Sequence, residues 1–300
     1  MKKIITPVIT VLDRSERPDY EGNKRVIDFL INGDVDGILV LGSAGEFPNF
    51  SVEERIDFMK FYSEYVNGRV ELFAGTGCVS YQDTLKLSRE ALRLGYTPMV
   101  IGPYYFGMDQ EKLFIYYDRL AKEVEGDIYL YSYPPRTGHS LEPETVRRLV
   151  RSNPNIKGMK ESISEPNHTN LICRAVEGYD FTVYSGFDDQ FLANAANNGG
   201  GGCIGALSIV APELWRDLVL SYNNGSLELT LKLFHLIQKL MPIYDMDTNC
   251  SLMMKKLLVH RGVEIDDRAV FPFDQMSPEI FSKAASLLDS VLEEHRHLNK

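Results

Sequence analysis

The segment IYLYSYPPRTGHSLEPETVRRLVRSNPNIKGMK, residues Ile128 to Lys160, reads as strand, turn, helix and strand. Aromatic and β-branched residues run from Ile128 to Tyr133 and stop at the Pro134-Pro135 turn. An amphipathic pattern follows over Pro143 to Arg151, and a second short β-like run closes the segment from Ile156 to Lys160. Two short apolar runs joined by a helical crossover make a βαβ unit.

The same alternation continues outward in both directions. Strands are predicted at Pro7–Leu12, Gly37–Leu41, Val70–Ala74, Pro98–Ile101, Ile128–Tyr133, Ile156–Lys160, Phe181–Ser185 and Cys203–Ala206. Helical patterns lie between them, among them Val52–Val66, Gln82–Leu94, Gln110–Val124 and Pro143–Arg151. Ser51 with Glu54 three residues later forms a capping box that opens the first of these. Roughly eight βα units in about 220 residues match a (β/α)8 barrel. A doubly wound open sheet would also give alternating units. Residues from about Ser226 onward read as all helix, with segments at Leu227–Leu240, Cys250–His260 and Pro278–Glu294. The expected organisation is therefore a barrel over residues 1–225 that carries the active site and a C-terminal helical extension over 226–300.

Composition narrows the partners. The 300 residues are 44% hydrophobic and 25% charged, the profile of a globular chain able to bury a full core. A formal net charge of −10 argues against nucleic acid and anionic membrane, since both repel an acidic surface that carries no segregated basic patch. Arg147, Arg148 and Arg151 are the densest basic group and fall on one exposed helix. The N-terminus lacks the apolar run and cleavage site of a signal peptide, and no segment approaches the roughly 20 apolar residues of a membrane span. Cys78, Cys173, Cys203 and Cys250 form no CxxC pair, so disulfides and zinc are not expected and a reducing cytoplasm is. The histidines show neither HxxxH nor HExxH spacing, and His295 and His297 fall in a polar tail where solvation is expected.

A barrel places its chemistry at the carboxyl ends of its strands, and the unusual residues fall there. Gly42-Ser43-Ala44-Gly45-Glu46 follows the second strand, Gly102-Pro103-Tyr104-Tyr105 the fourth, and Tyr131 to Gly138 ends the fifth. Lys160 closes the sixth, Ser185-Gly186-Phe187-Asp188-Asp189 follows the seventh, and Gly199 to Gly202 leads into the eighth. Alternation puts Ile156, Gly158 and Lys160 on one face, with Gly158 leaving room beside the lysine and Lys157 on the solvated side. A lysine in a core position needs a purpose, because burying an ammonium is costly. An amine taken partly out of water gives up its proton more readily and can attack a ketone to form a Schiff base. The competing reading is an end-of-strand lysine that snorkels to water.

Tyr129, Tyr131 and Tyr133 share a face at period two. A phenol donates and accepts a hydrogen bond, so Tyr131, nearer the strand end, suits proton relay, and Tyr129, the deepest, suits core. Arg136 follows in a Pro-rich turn; its planar fork fits a substrate carboxylate or, equally, a structural salt bridge. The Gly42–Gly45 turn offers successive N–H groups to a small carboxylate, and the Ser43 hydroxyl could join the relay. Glu46 reads as an acceptor for loop N–H groups. Gly199–Gly202 lacks the GK[ST] ending of a phosphate loop.

Together these residues resemble the dihydrodipicolinate synthase / N-acetylneuraminate lyase family from about Ile5 to Pro272. The family's G[ST][ST]GE pattern corresponds to Gly42–Glu46, Y-N-x-P-x-R-T-G to Tyr131–Gly138, and G-[IM]-K-[ED] to Gly158–Glu161. The resemblance implies a class I aldolase in which Lys160 forms an imine with pyruvate, Tyr131 relays protons, and the N–H groups of Ser43 and Ala44 hold the pyruvate carboxylate. It also implies that Gly186 and Ile204 line the substrate site with Arg136. Tyr105 is expected to enter a neighbouring subunit's site in a homotetramer built as a dimer of dimers. No metal and no organic cofactor is expected, because the lysine itself supplies the electron sink.

Departures from the pattern bear on the substrate. Ala44 replaces the second hydroxyl residue usual in the synthases, and Phe47 and Ser132 look like the members that cleave 2-keto-3-deoxy sugar acids. Arg136 points to a synthase that condenses pyruvate with aspartate semialdehyde. The expected activity is cleavage or formation of the bond between pyruvate and an aldehyde, with a 2-keto-3-deoxy sugar acid ahead of the synthase substrate. A catalytically silent barrel that binds a 2-keto acid is the alternative of a different class, disfavoured by the joint presence of Lys160, Tyr131 and Ser43.

Overall fold

The computed structural model describes residues 1–298. Eight parallel strands close into a barrel in sequence order: β1 Lys3–Pro7, β2 Gly37–Val40, β3 Glu71–Gly75, β4 Thr97–Ile101, β5 Ile128–Ser132, β6 Ile156–Glu161, β7 Thr182–Ser185 and β8 Gly200–Cys203. The helices are α1 Tyr20–Asn32, α2 Val52–Val66, α3 Tyr81–Arg93, α4 Gln110–Glu123, the single turn α5 Pro134–Thr137, α6 Pro143–Ser152, α7 Pro166–Ala175, the short α8 Phe191–Ala195 and α9 Pro212–Asn223. Beyond the barrel come α10 Leu227–Leu240, the single turn α11 Ile243–Met246, α12 Cys250–His260 and α13 Pro278–Leu298. The (β/α)8 barrel with a helical extension is thus the architecture, and the open-sheet alternative falls with the pairing of β1 to β8.

Helix starts are chemically specified. Ser51 caps α2 with both halves of a capping box: its hydroxyl accepts from the Glu54 N–H and its own N–H donates to the Glu54 carboxylate. Asp19, Ser80 and Asp109 cap α1, α3 and α4, while proline opens α6 and α9, where a missing N–H costs nothing.

Two apolar layers follow from strand alternation. Outward residues Val100, Leu130, Met159 and Val183 pack under Leu113, Leu120, Val146, Leu149 and Ile172 of the surrounding helices. Leu39, Phe73 and Met99 point into the barrel and join a cluster continuous with Trp215 of α9 and with Leu233, Ile237, Leu257 and Leu288 of the extension. Burying each such aliphatic side chain contributes about 1.5–3 kcal/mol.

Two strand positions differ from the sequence reading. The first strand is Lys3–Pro7, not Pro7–Leu12. After Val8, whose N–H still reaches the Leu39 carbonyl at 3.1 Å, the chain leaves the ladder; at Val11 both backbone groups bond instead to the Asn23 side chain, at 3.1 and 3.0 Å. The run 8–12 is buried although it lies beyond the end of β1. The eighth strand is the glycine run itself, Gly200–Cys203, not Cys203–Ala206. At Gly202, φ is +122° and a Cβ would fall 2.1 Å from the Lys3 carbonyl oxygen, so only glycine lets β8 approach β1 and close the ring.

Candidate active site

Ile101, Tyr131, Lys160 and Tyr184 lie in register on neighbouring strands β4 to β7, so their side chains share the inner face near the carboxyl ends. Lys160 is 5% exposed, and its Nζ sits 4.8 Å from the centre of the Tyr131 ring. The snorkelling alternative is thereby excluded: the amine is in the barrel, beside the phenol. Tyr131 stacks on Tyr133 at 6.0 Å between centroids, and burial pushes the Tyr133 phenol above its ordinary value. Tyr129 lies one layer deeper, between Phe73 and Tyr184, as core. The space at Gly158 serves this layer and not the lysine: a Cβ there would meet the Tyr129 ring at 2.5 Å.

The neighbouring residue on β6 points outward. Glu161 is 1% exposed and accepts hydrogen bonds from the His168 Nδ1 and, at 2.6 Å, from the Thr169 hydroxyl of α7. The Glu161 contact raises the His168 pKa above its ordinary value. Ser132 also faces outward, its hydroxyl accepting from the Leu141 N–H at 3.1 Å. Lys157 pairs with Asp180 at 2.6 Å on the solvated side.

Ser43, Ala44 and Gly45 form one 3-10 turn at the end of β2. Ser43 and Ala44 head that turn, so their N–H groups have no acceptor within it. The residues on either side of the turn, Leu41 and Glu46, have φ of +55° and +58°, a left-handed conformation uncommon for residues with a Cβ. Glu46 is buried and accepts the Val270 N–H at 3.3 Å and the Lys255 ammonium. It thus accepts a loop N–H, as expected, but from the C-terminal extension, which also supplies the ammonium.

Arg136 stands on the one-turn α5, exposed at the barrel mouth, and no ion pair engages it among the described residues. Gly186 donates its N–H to the Glu161 carbonyl at 2.6 Å, and Ile204, fully buried, donates to Ser185 at 2.8 Å; both fix the loops that follow β7 and β8. Tyr105 lies on the loop after β4, is 78% exposed and touches Phe106, with no ring contact or hydrogen bond to Tyr131, Lys160 or Ser43.

Asp188 enters the sequence reading only as part of the segment after the seventh strand, with no role assigned to it. It is fully buried after β7, accepting from the Trp215 indole at 3.1 Å and from the Tyr244 hydroxyl at 2.5 Å. Burial pushes its carboxyl up to about 7, against the opposing hydrogen bond from Tyr244 and the charge of Lys160. Cys250, at the start of α12, is raised to about 12 by burial and feels the charges of Asp188, Lys160 and Arg136. His295 likewise departs from its expected solvation: it is 4% exposed on α13 and bonds to Asp217 at 2.7 Å.

Comparison with known proteins agrees with this geometry. The sequence model of the Dihydrodipicolinate synthetase family matches residues 1–291. The chain is 33% identical over 294 residues to the probable 2-dehydro-3-deoxy-D-pentonate aldolase YjhH of Escherichia coli, covering 96% of this chain and 97% of that protein. It is 32% identical over 285 residues to the 4-hydroxy-tetrahydrodipicolinate synthase of Hydrogenobaculum sp., covering 95% and 96%. The crystal structure of YagE, a prophage protein of E. coli K12 in complex with pyruvate, superposes with a TM-score of 0.91 at 29% identity, covering 97% of this chain and 98% of that one.

Proposed function

The chain belongs to the dihydrodipicolinate synthetase family, a family of class I aldolases, and on that premise we propose that this lyase binds its 2-keto acid as an imine on Lys160. The observation that carries the proposal is the position of Lys160, buried inside the barrel over the Tyr131 ring. In cleavage, Nζ adds to the ketone carbonyl of a 2-keto acid, and the carbinolamine loses water to give the protonated imine. That imine accepts the electron pair released when the bond between C3 and C4 breaks, as the C4 hydroxyl gives its proton to the Tyr131 relay and becomes the carbonyl of the departing aldehyde. The resulting enamine takes a proton at C3, and water returns to free pyruvate and the lysine.

Tyr131 supplies and removes the protons of carbinolamine formation, with the Ser43 hydroxyl extending the relay. The N–H groups of Ser43 and Ala44 receive the carboxylate beside the ketone, while Gly186 and Ile204 shape the far wall. Arg136, exposed and without a carboxylate partner among the described residues, is available to a charged group at the distal end of the substrate.

For the substrate we favour a 2-keto-3-deoxy sugar acid. YjhH, named a pentonate aldolase, supports this reading, as does Ala44, which offers no second hydroxyl in the turn. The Hydrogenobaculum synthase and Arg136 support the second reading, condensation of pyruvate with aspartate semialdehyde. We further take residues 1–225 as the catalytic barrel and 226–300 as its support, in a cytoplasmic homotetramer where Tyr105, exposed in the single chain, reaches a neighbouring copy's site.

Incubation with pyruvate and borohydride, then peptide mass analysis, tests the imine: an adduct on the peptide carrying Lys160 is expected. An unmodified Lys160 with pyruvate reversibly bound would establish the silent binding barrel instead. Coupled assays with a panel of 2-keto-3-deoxy sugar acids and with aspartate semialdehyde decide the substrate, and faster turnover of the semialdehyde would reverse the ranking.

A further inference from the structure

Lys255 lies on α12 after the apolar run Leu252-Met253-Met254, and it is completely buried. Its ammonium donates to the Glu46 carboxylate and, at 2.9 Å, to the Arg268 carbonyl. Glu46 is itself only 7% exposed, and its other oxygen accepts the Val270 N–H at 3.3 Å. Two charges have thus been withdrawn from water, and among the described residues neither of them pairs with the Lys160 amine. A buried ion pair is a poor source of stability, since desolvation cancels much of the attraction and an apolar pair of like volume often does as well. Its presence calls for a geometric reason.

The backbone supplies one. Glu46 immediately follows the Ser43–Gly45 turn, and its own N–H closes that turn on the Ser43 carbonyl at 3.2 Å. Its φ of +58° is a conformation that an L-residue holds only when its surroundings dictate it. The far side of the turn is held by the Thr10 hydroxyl, which donates to the Gly45 carbonyl at 2.8 Å. α12 packs directly on the turn. The turn is therefore gripped by the barrel on one side and by the C-terminal extension, through one ion pair, on the other.

We infer that Lys255 is a positioning residue: through Glu46 it holds the turn so that the Ser43 and Ala44 N–H groups point at the carboxylate of the bound 2-keto acid. This rests on the imine reading above and assigns the extension a part in substrate recognition. It also sets Lys255 apart from its neighbour Lys256, which pairs with Asp267 at 2.9 Å in a part-exposed position. The pair acts on one portion of the substrate, the carboxylate, and not on the ketone that Lys160 attacks.

The test separates those portions. Pyruvate and acetone present the same ketone, but only pyruvate carries a carboxylate, so the ratio of their borohydride trapping rates at Lys160 reports on the turn alone. The variant Glu46→Gln/Lys255→Met removes both charges while leaving an acceptor for the Val270 N–H, and its folding is checked by thermal unfolding. The expected result is a pyruvate-to-acetone ratio lowered by ~10- to 100-fold, the loss that a displacement of about 1 Å produces, with acetone trapping unchanged. If the double variant does not fold, Glu46→Gln alone, which keeps an oxygen for Lys255, is expected to lower the ratio in the same direction. An unaltered ratio in a folded variant, or an equal fall for both ketones, overturns the proposal in favour of a purely structural pair. Failure of the unsubstituted protein to trap pyruvate would refute the imine reading, and this inference with it, before any variant is made.

Discussion

The Lys160 nitrogen stands 4.8 Å from the centre of the Tyr131 ring, its partner in register on the adjacent strand. The contact uses the face of the ring, so packing and proton transfer by the same tyrosine are separable. Tyr131→Phe keeps the face and deletes the hydroxyl, and a loss of roughly 10²–10⁴ in kcat is expected with thermal stability preserved. Lys160→Ala is expected to abolish turnover and borohydride trapping together. Near-normal activity in Lys160→Ala, measured by pyruvate release, would remove the imine from the mechanism.

Arg136 should separate recognition from folding. It is exposed and forms no ion pair among the described residues, so Arg136→Gln is expected to alter unfolding free energy by no more than about 0.5 kcal/mol. Steady-state kinetics should show kcat/KM falling roughly ten- to a hundredfold for substrates whose distal end carries an anion, as expected for a lost charge-assisted contact. Pyruvate trapping should not change. An equal fall for neutral-ended substrates would assign Arg136 to the structure of the mouth.

His168 and Glu161 predict a pH dependence of stability. The pKa of His168 is raised by its bond to Glu161, so the native state holds the proton more firmly than the unfolded chain. The contribution is complete below the unfolded histidine value of about 6.5 and disappears as pH rises through the raised native value. Denaturation of His168→Gln should therefore show a deficit of about 1–3 kcal/mol at pH 6 that shrinks by pH 9. A deficit independent of pH would mean that the imidazole acts only as a neutral hydrogen-bonding group.

Asp188 predicts the same sign of slope by a different route. Burial pushes its carboxyl up to about 7, so between about 4 and about 7 the folded protein keeps a proton that the unfolded chain has released. Stability contributed through this group is full below the unfolded value and falls as pH rises through that window. Asp188→Asn removes the titration, so the variant should gain stability relative to the parent from pH 5 to pH 8. A constant difference would show that Trp215 and Tyr244 hold the carboxylate ionised throughout.

The parts legible in the sequence are those with a local signature. Period-two runs ending in glycine, serine or proline disclosed most of the strands, and motifs at three strand ends singled out Lys160, Tyr131 and Ser43 as candidates. The glycine run of β8 resembled a loop because its requirement is set by the Lys3 backbone, about two hundred residues away. Val8–Leu12 resembled a strand because burial selects β-branched residues whether or not a ladder is present. Glu46 and Lys255 are separated by 209 positions, so the loop-acceptor reading of Glu46 could not include its ammonium partner. An apolar flank of Leu252-Met253-Met254 before Lys255 was the single hint. His295 looked free in a tail of charged residues, but α13 continues past it and turns it toward Asp217.

On β6, Lys160 points to the lumen and Glu161 to the surrounding helices. Because consecutive side chains occupy separate compartments, the buried amine and its anchor are constrained by different surroundings. Residues around the mouth can diverge toward new aldehydes without loosening the strand that carries the amine. A lineage built on this arrangement can change what it cleaves while conserving how it cleaves.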